Sequence, residues 1–329
     1  MTEFLIKRIL LCILILFFVM FIVYLLMYSL PTSYVETRAL ALSQKPGSQK
    51  SSQEWLAELS ATYGMDKGPI KGYFVWLKNA AHGDFGESWF WTVPCTEKFA
   101  DVIWYSFVLA LVSFIFEIII SVPLGVLAAR KQYSATDYTV TVVALIGISL
   151  PTFFVATILK MIFSVKLGWF DISGMQGRYF LQLSNWGKFL DLAKHFFMPA
   201  LTLVIISIGS LMRYTRTNML EVLNADYIRT ARAKGLSERK VINYHAFRNT
   251  LIPLVTVLGG SLPGLFGGAL ITETLFGIGG IGYVSYQAMV AGDIPFTMFY
   301  LAFISILTLL GNLISDILYA VVDPRVRVH

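Results

Sequence analysis

Acidic side chains inside apolar stretches are the first residues of this sequence with chemistry to offer. Glu117 stands near the middle of one such stretch, Glu273 at the end of another, and Asp316 closes a third. A charge in hydrocarbon costs at least about 2.5–3.5 kcal/mol on insertion scales, so Glu117 is expected to face protein or a water-filled cavity. It reads equally as part of a translocation path or gate and as a structural hydrogen bond between helices; Asp316 reads as interfacial. Glu273 and Pro263 join Glu117 as path or gate candidates. Proline and glycine interruptions permit bends there, although simple packing of small residues explains them as well. Much other chemistry is missing. There is no G-x-x-x-x-G-K-[ST] loop for ATP hydrolysis and no H-E-x-x-H, and His82, His195, His245 and His329 lie far apart. Residues 147–151 do not form G-x-S-x-G, and the glycines at 277–282 follow a membrane stretch rather than a strand. Cys12 and Cys95 have neither metal nor redox spacing, and no internal disulfide is expected. No catalytic set supports an enzyme.

The elements that must position these residues are membrane helices. Of the 329 residues, 56% are hydrophobic and 14% charged, with mean hydropathy +0.68. Soluble domains carry about 25% charge, so this chain cannot cover a globular surface. Disordered, collagenous and disulfide-rich secreted classes are excluded as well. An all-α integral membrane protein is the expectation. Six stretches are long and apolar enough to cross a bilayer: 9–30, 102–129, 138–163, 196–212, 250–272 and 296–315, the last with a continuation to 322 left open. The first has no A-x-A cleavage pattern and reads as an uncleaved span.

The formal charge of +6 is assigned to loops rather than to nucleic acid. Basic residues gather at the N-terminus (Lys7, Arg8), the 130–136 turn, the 213–249 segment and the tail, so both termini are expected in the cytoplasm. Lys160 and Lys166 are expected to snorkel at the outer end of the third span. The expected organisation is a first helix (1–30), an extracytoplasmic loop subdomain (31–101), a core of five spans (102–322) and a cytoplasmic tail (323–329). The extracytoplasmic part holds Trp55, Trp76, Trp89 and Trp91, and 47–53 reads as a flexible loop.

The 213–249 segment sets eight basic residues against Glu221, Asp226 and Glu238. Residues 221–234 lack glycine and proline and predict a helix of about 21 Å. Tyr227, Ile228, Ala231 and Leu236 give it an apolar stripe opposite Arg229 and Arg232. Gly235 fits a helix C-cap and Ser237 the start of a second helix, which makes an elbow. Such an elbow would receive force from a partner, or rest as a basic amphipathic surface on membrane lipid.

The run Asp226-Tyr227-Ile228-Arg229-Thr230-Ala231-Arg232-Ala233-Lys234-Gly235-Leu236 resembles the cytoplasmic "EAA" loop of ABC-transporter permeases, in the form found in the dipeptide/oligopeptide permease family. Thr230 stands where the general pattern has the first of two alanines, as is common in peptide permeases. Further matches follow in the family's order: His245-Ala246-Phe247-Arg248-Asn249 with Pro253, Glu273-Thr274-Leu275-Phe276, Gly277-Ile278-Gly279, Asp316-Ile317-Leu318-Tyr319 and Asp323-Pro324-Arg325. Upstream, Gly83-Asp84-Phe85-Gly86-Glu87-Ser88, His195 with Pro199-Ala200-Leu201, and Arg213 with Arg216 also fit. The short N-terminus and long outer loop resemble the first, B-type, permease subunit.

The resemblance implies a type I ABC importer permease fold in the cell membrane. It implies a homologous second permease subunit, two cytoplasmic ABC ATPase subunits that bind ATP and Mg, and an extracytoplasmic peptide-binding protein. This chain would hold no cofactor of its own. Residues 221–240 would couple it to an ATPase through Tyr227, Arg229, Ala231, Arg232, Lys234, Gly235 and Leu236, with small Ala231 and Gly235 allowing close contact. The cargo would be oligopeptide or dipeptide. Nickel chelates, glutathione or another small solute fall within the same family, and a passive channel or membrane scaffold is the reading from another class.

Overall fold

The computed structural model describes residues 2–29, 33–45, 50–62 and 68–322. The expected tail at 323–329, with Asp323-Pro324-Arg325, lies outside them, as does part of the 47–53 loop. Among the described residues the chain is helical, apart from one antiparallel bridge between Glu87 and Pro94. In order the helices are α1 (Thr2–Tyr28), α2 (Ser33–Ser43), α3 (Ser52–Thr62), α4 (Gly68–Ala81), α5 (Cys95–Arg130), α6 (Ala135–Ser149) and α7 (Thr152–Leu159). After a turn at 180–182 come α8 (Asn185–Leu223), α9 (Asp226–Ala233), α10 (Glu238–Lys240), α11 (Phe247–Ser261), α12 (Leu270–Phe276), α13 (Ile281–Val290) and α14 (Ile294–Val322).

Among the described residues, five helical stretches are long and apolar enough to span a membrane, or six if the bent pair α6–α7 counts as one. The second and sixth expected spans fall within α5 and α14, and α1 covers the first as far as Tyr28, residue 30 lying outside the described residues. The third is not straight. Leu150 precedes Pro151, whose ring disfavours helical backbone in its neighbour; Leu150 is extended (φ −82°, ψ 131°), and the two halves bend by 102°. The fourth is far longer than the expected 17 residues. Ser184 caps α8 by accepting from Gly187 N–H at 3.2 Å, and no glycine pair stops the helix before Leu223. Its 39 residues extend about 58 Å, well beyond a bilayer core. The fifth starts at Glu238 and ends at Phe266 rather than covering 250–272; Gly268, left-handed at φ +77°, breaks it, and Ile271 and Thr272 pass to α12.

The chain divides into two compact units, 1–102 with 284–310, and 103–283 with 311–329. In the first, Met20 and Tyr24 of α1, Tyr73 and Trp76 of α4, Trp89, and Ile294, Met298 and Ala302 of α14 form one core. Asp293, buried, caps α14 by accepting from Phe296 N–H at 3.2 Å, and its other oxygen accepts from Phe90 N–H at 3.1 Å and from the Ser88 hydroxyl. Thus the 84–95 loop is strapped to the start of α14. In the second unit α6 and α8 touch backbone to backbone. A Cβ on Gly209 would lie 2.4 Å from the Ala144 carbonyl oxygen, and one on Gly147 2.7 Å from that of Ile205.

Candidate functional site

Two places in the second unit collect the residues singled out by sequence. The first is the elbow after α8. The helix expected over 221–234 is interrupted: Asn224 ends α8, its side-chain amide donating to the Leu220 carbonyl at 3.0 Å, and Ala225 is extended (φ −71°, ψ 149°) before α9 begins. Asparagine side chains compete for backbone partners in this way and favour helix ends. The α9 helix seats Ile228 and Ala231 among Ala129 of α5, Met219 of α8, and Val241, Ile242 and Ala246. Ala231 is only 7% exposed, its small side chain packed inside the chain.

The end of α9 closes as the sequence predicts. Gly235 N–H donates to the Arg232 carbonyl at 2.9 Å and Leu236 N–H to that of Ala231 at 3.4 Å, with Gly235 left-handed at φ +75°. This paired closure brings Leu236 back against the same apolar seat. A Cβ on Gly235 would meet nothing within 4 Å, so conformation, not close approach, calls for glycine. Ser237 begins α10 with its carbonyl, which accepts from Lys240 N–H at 2.8 Å; its hydroxyl makes no cap bond. Across the corner, Arg232 grips Glu238 with two bonds of 2.8 and 3.2 Å. That carboxylate holds the Arg232 guanidinium above the usual arginine range. Tyr227, 49% exposed, faces outward with Arg229, Thr230 and Lys234. Partial burial, and after it the charge of Glu221, push its phenol up.

The second place is a knot around Glu273, which is 0% exposed. One carboxylate oxygen accepts from the Ser106 hydroxyl at 2.7 Å and from Ala269 N–H at 2.9 Å; the other accepts from Tyr283 N–H at 2.8 Å. Ser106 in turn accepts from Ile281 N–H at 2.7 Å. Three donors on one buried carboxylate are what allow it to stay inside. The glycines make room: a Cβ on Gly268 would lie 2.4 Å from Gly282 N, and one on Gly280 2.4 Å from the Ser106 oxygen. Gly277, left-handed at φ +67°, ends α12. Lys160 does not snorkel: it donates to the Leu275 carbonyl at 2.5 Å, at the C-terminal end of α12 where cations are favoured. Gly174 N–H donates to the Phe276 carbonyl at 2.8 Å, which docks the 171–177 loop on the same helix end.

The remaining candidates stand apart from both places. Glu117 is half-buried on α5, and the Ser207 hydroxyl of α8 donates to the Val204 carbonyl at 3.2 Å. Pro263 is buried against α14, where a Cβ on Gly311 would lie 2.6 Å from its ring. Sequence reasoning missed Asp137. Its two oxygens take Arg216 Nε and Nη2 at 2.7 Å each, and one also accepts from Tyr133 N–H at 3.0 Å, holding Tyr133 left-handed at φ +62°. This clamp ties the α5–α6 turn to α8 just before the elbow. An acid in the first turn of an apolar helix, behind the capping Ser134, was the available signal.

Comparison with known proteins covers nearly the whole chain. The family described as binding-protein-dependent transport system inner membrane component matches residues 121–328, and its N-terminal counterpart matches residues 1–122. The chain is 36% identical to the oligopeptide transport system permease protein AppB of Bacillus subtilis (strain 168) over 328 residues, 99% of this chain and 100% of that one. It is 37% identical to the dipeptide transport system permease protein DppB of Escherichia coli (strain K12) over 297 residues, 85% of this chain and 88% of that protein. A putative peptide transport system permease protein of Brucella abortus (strain 2308) is 36% identical over 280 residues, 84% of this chain and 86% of its own length.

Proposed function

The chain belongs to the binding-protein-dependent transport system inner membrane components, with the type I ABC importer permease fold, and on that premise we propose that it is the B-type permease subunit of an importer of oligopeptides or dipeptides. It is a multi-pass integral membrane protein in a transport complex. Its place is the cytoplasmic membrane, with both termini and the elbow in the cytoplasm, as the basic residues of its loops favour. Its partners are a homologous permease, two ATPases that bind ATP and Mg, and an extracytoplasmic peptide-binding protein.

The observation that carries this reading is the elbow: an exposed face of Tyr227, Arg229, Arg232 and Lys234 on a helix whose other face is fixed to the ends of α5 and α8. A partner pressing on that face moves a rigid body, because Ile228 and Ala231 are locked in, Gly235 and Leu236 close the corner, and Arg232–Glu238 spans it. ATP-driven closure of the ATPases would shift the helices toward an outward-open state, provided the partners bind the two states with different affinity. In that cycle Glu117 is the path candidate with partial exposure, whereas Glu273 and Pro263 are buried within the protein. A mild-detergent pull-down with mass spectrometry tests the proposal. Recovery of two ATPases and a homologous permease is the expected result; recovery of this chain alone, under conditions that preserve known complexes, would contradict it.

A further inference from the structure

The segment between the first two spans was expected to lie outside the membrane, yet α4 is bonded to the middle of α1. The Tyr73 hydroxyl donates to the Phe17 carbonyl at 2.8 Å. The Tyr73 ring also sits 5.4 Å from that of Phe17, 5.1 Å from Phe21 and 5.8 Å from Tyr24, and the Phe74 ring lies 6.1 Å from Phe17. The apolar stretch of α1 is Ile6–Leu26. Phe17 is eleven residues from one end of it and nine from the other, or about 16 and 14 Å at 1.5 Å per residue, which puts it near the middle of a hydrocarbon core about 30 Å thick. Sliding α1 outward to lift Phe17 to the surface would draw Lys7 and Arg8 into hydrocarbon, at about 2.5–3.5 kcal/mol each on insertion scales. Phe17 therefore stays deep, and α4 with it.

We infer that α4 is a membrane-embedded helix, lying in the leaflet away from Lys7 and Arg8, with its Ile70–Phe74 face against lipid hydrocarbon. The sides of the helix fit that placement. Gly72, Tyr73 and Trp76 are buried, whereas Ile70 is 61% exposed and Phe74 53%, its ring at the edge of the contact with Phe17. At 100° per residue Ile70, Phe74, Lys78 and Lys71 follow one another around the exposed arc, so the apolar strip has lysines along one border only. Such a strip suits a helix sunk in one leaflet, with the lysine stems carrying their ammonium groups up toward the headgroups. The Tyr73 hydroxyl has no water at that depth, and its bond to the Phe17 carbonyl supplies the partner.

The test is nitroxide labelling of the full-length chain, with Cys12 and Cys95 replaced, reconstituted in phosphatidylcholine–phosphatidylglycerol vesicles. Labels go at F74C and I70C, with F18C on the exposed side of α1 as the deep reference and E54C on α3 as the aqueous one. The ratio of oxygen to nickel-chelate collision rates at Phe74 or Ile70 is expected to match that at Phe18 and to exceed that at Glu54. A nickel-accessible label like that at Glu54 would overturn the inference. So would a label at both positions shielded from oxygen and nickel alike, which would put protein rather than lipid on that face. The two positions serve as mutual controls, should one label disturb the fold.

Discussion

The elbow and the Glu273 knot are built from the same materials, charged side chains beside left-handed glycines, and use them in opposite ways. At the elbow the charges stay outside and the glycine stands in open space. In the knot the carboxylate is fully buried, every oxygen is engaged by donors from 106, 269 and 283, and Gly268 is pressed against the backbone of Gly282. A motif rich in glycine and charge thus marks a contact surface in one place and an internal fastening in the other. Burial decides which.

Removing the fastening should have the largest effect. Glu273→Ala leaves the Ser106 hydroxyl and two backbone N–H groups buried without their acceptor, a loss of about 3–5 kcal/mol. Thermal unfolding of the purified protein in detergent should show a large drop in Tm. An unchanged Tm would mean the knot is not what holds 269–283 to α5.

The two glycines separate conformation from space. Gly235→Ala meets only the left-handed backbone penalty of about 1–2 kcal/mol, whereas Gly268→Ala adds a clash of the kind that costs about 1–3 kcal/mol more. The Tm of the Gly268 variant should fall further; equal shifts would erase the distinction between the regions. Gly235→Val should leave expression and assembly largely intact while impairing uptake in reconstituted vesicles. Normal uptake by that stable variant would argue against force passing through this corner. Smallest in stability is Arg232→Ala. Its pair with Glu238 is about half exposed, and exposed pairs contribute about 0–1 kcal/mol, so Tm should barely move. A fall of many degrees would show the corner to be a structural fastening like the knot.

Much of this was legible in the residues. Six apolar stretches announced the spans, and Gly235 announced the end of α9, because a left-handed C-cap has a local sequence signature. What stayed hidden depended on distant partners. The bend at Leu150 was readable from Pro151, but the length of α8 was not, since its ends leave the bilayer as polar helix without any change in periodicity. Ala231 and Ile228 face inward because Met219 and Val241 meet them there, which the spacing of α9 alone does not reveal. Glu273 looked like a charge near a path because sequence shows neither Ser106 nor Tyr283 beside it. The Asp137–Arg216 clamp joins residues 79 positions apart.

The most direct test of the central claim, that α9 hands force to a partner, is a photocrosslink from a benzoylphenylalanine placed at Arg229 in the intact complex. The account predicts an adduct with an ATPase subunit, dependent on assembly and altered by ATP. An adduct formed only with lipid or with this chain itself, in a complex shown to contain the ATPases, would contradict it.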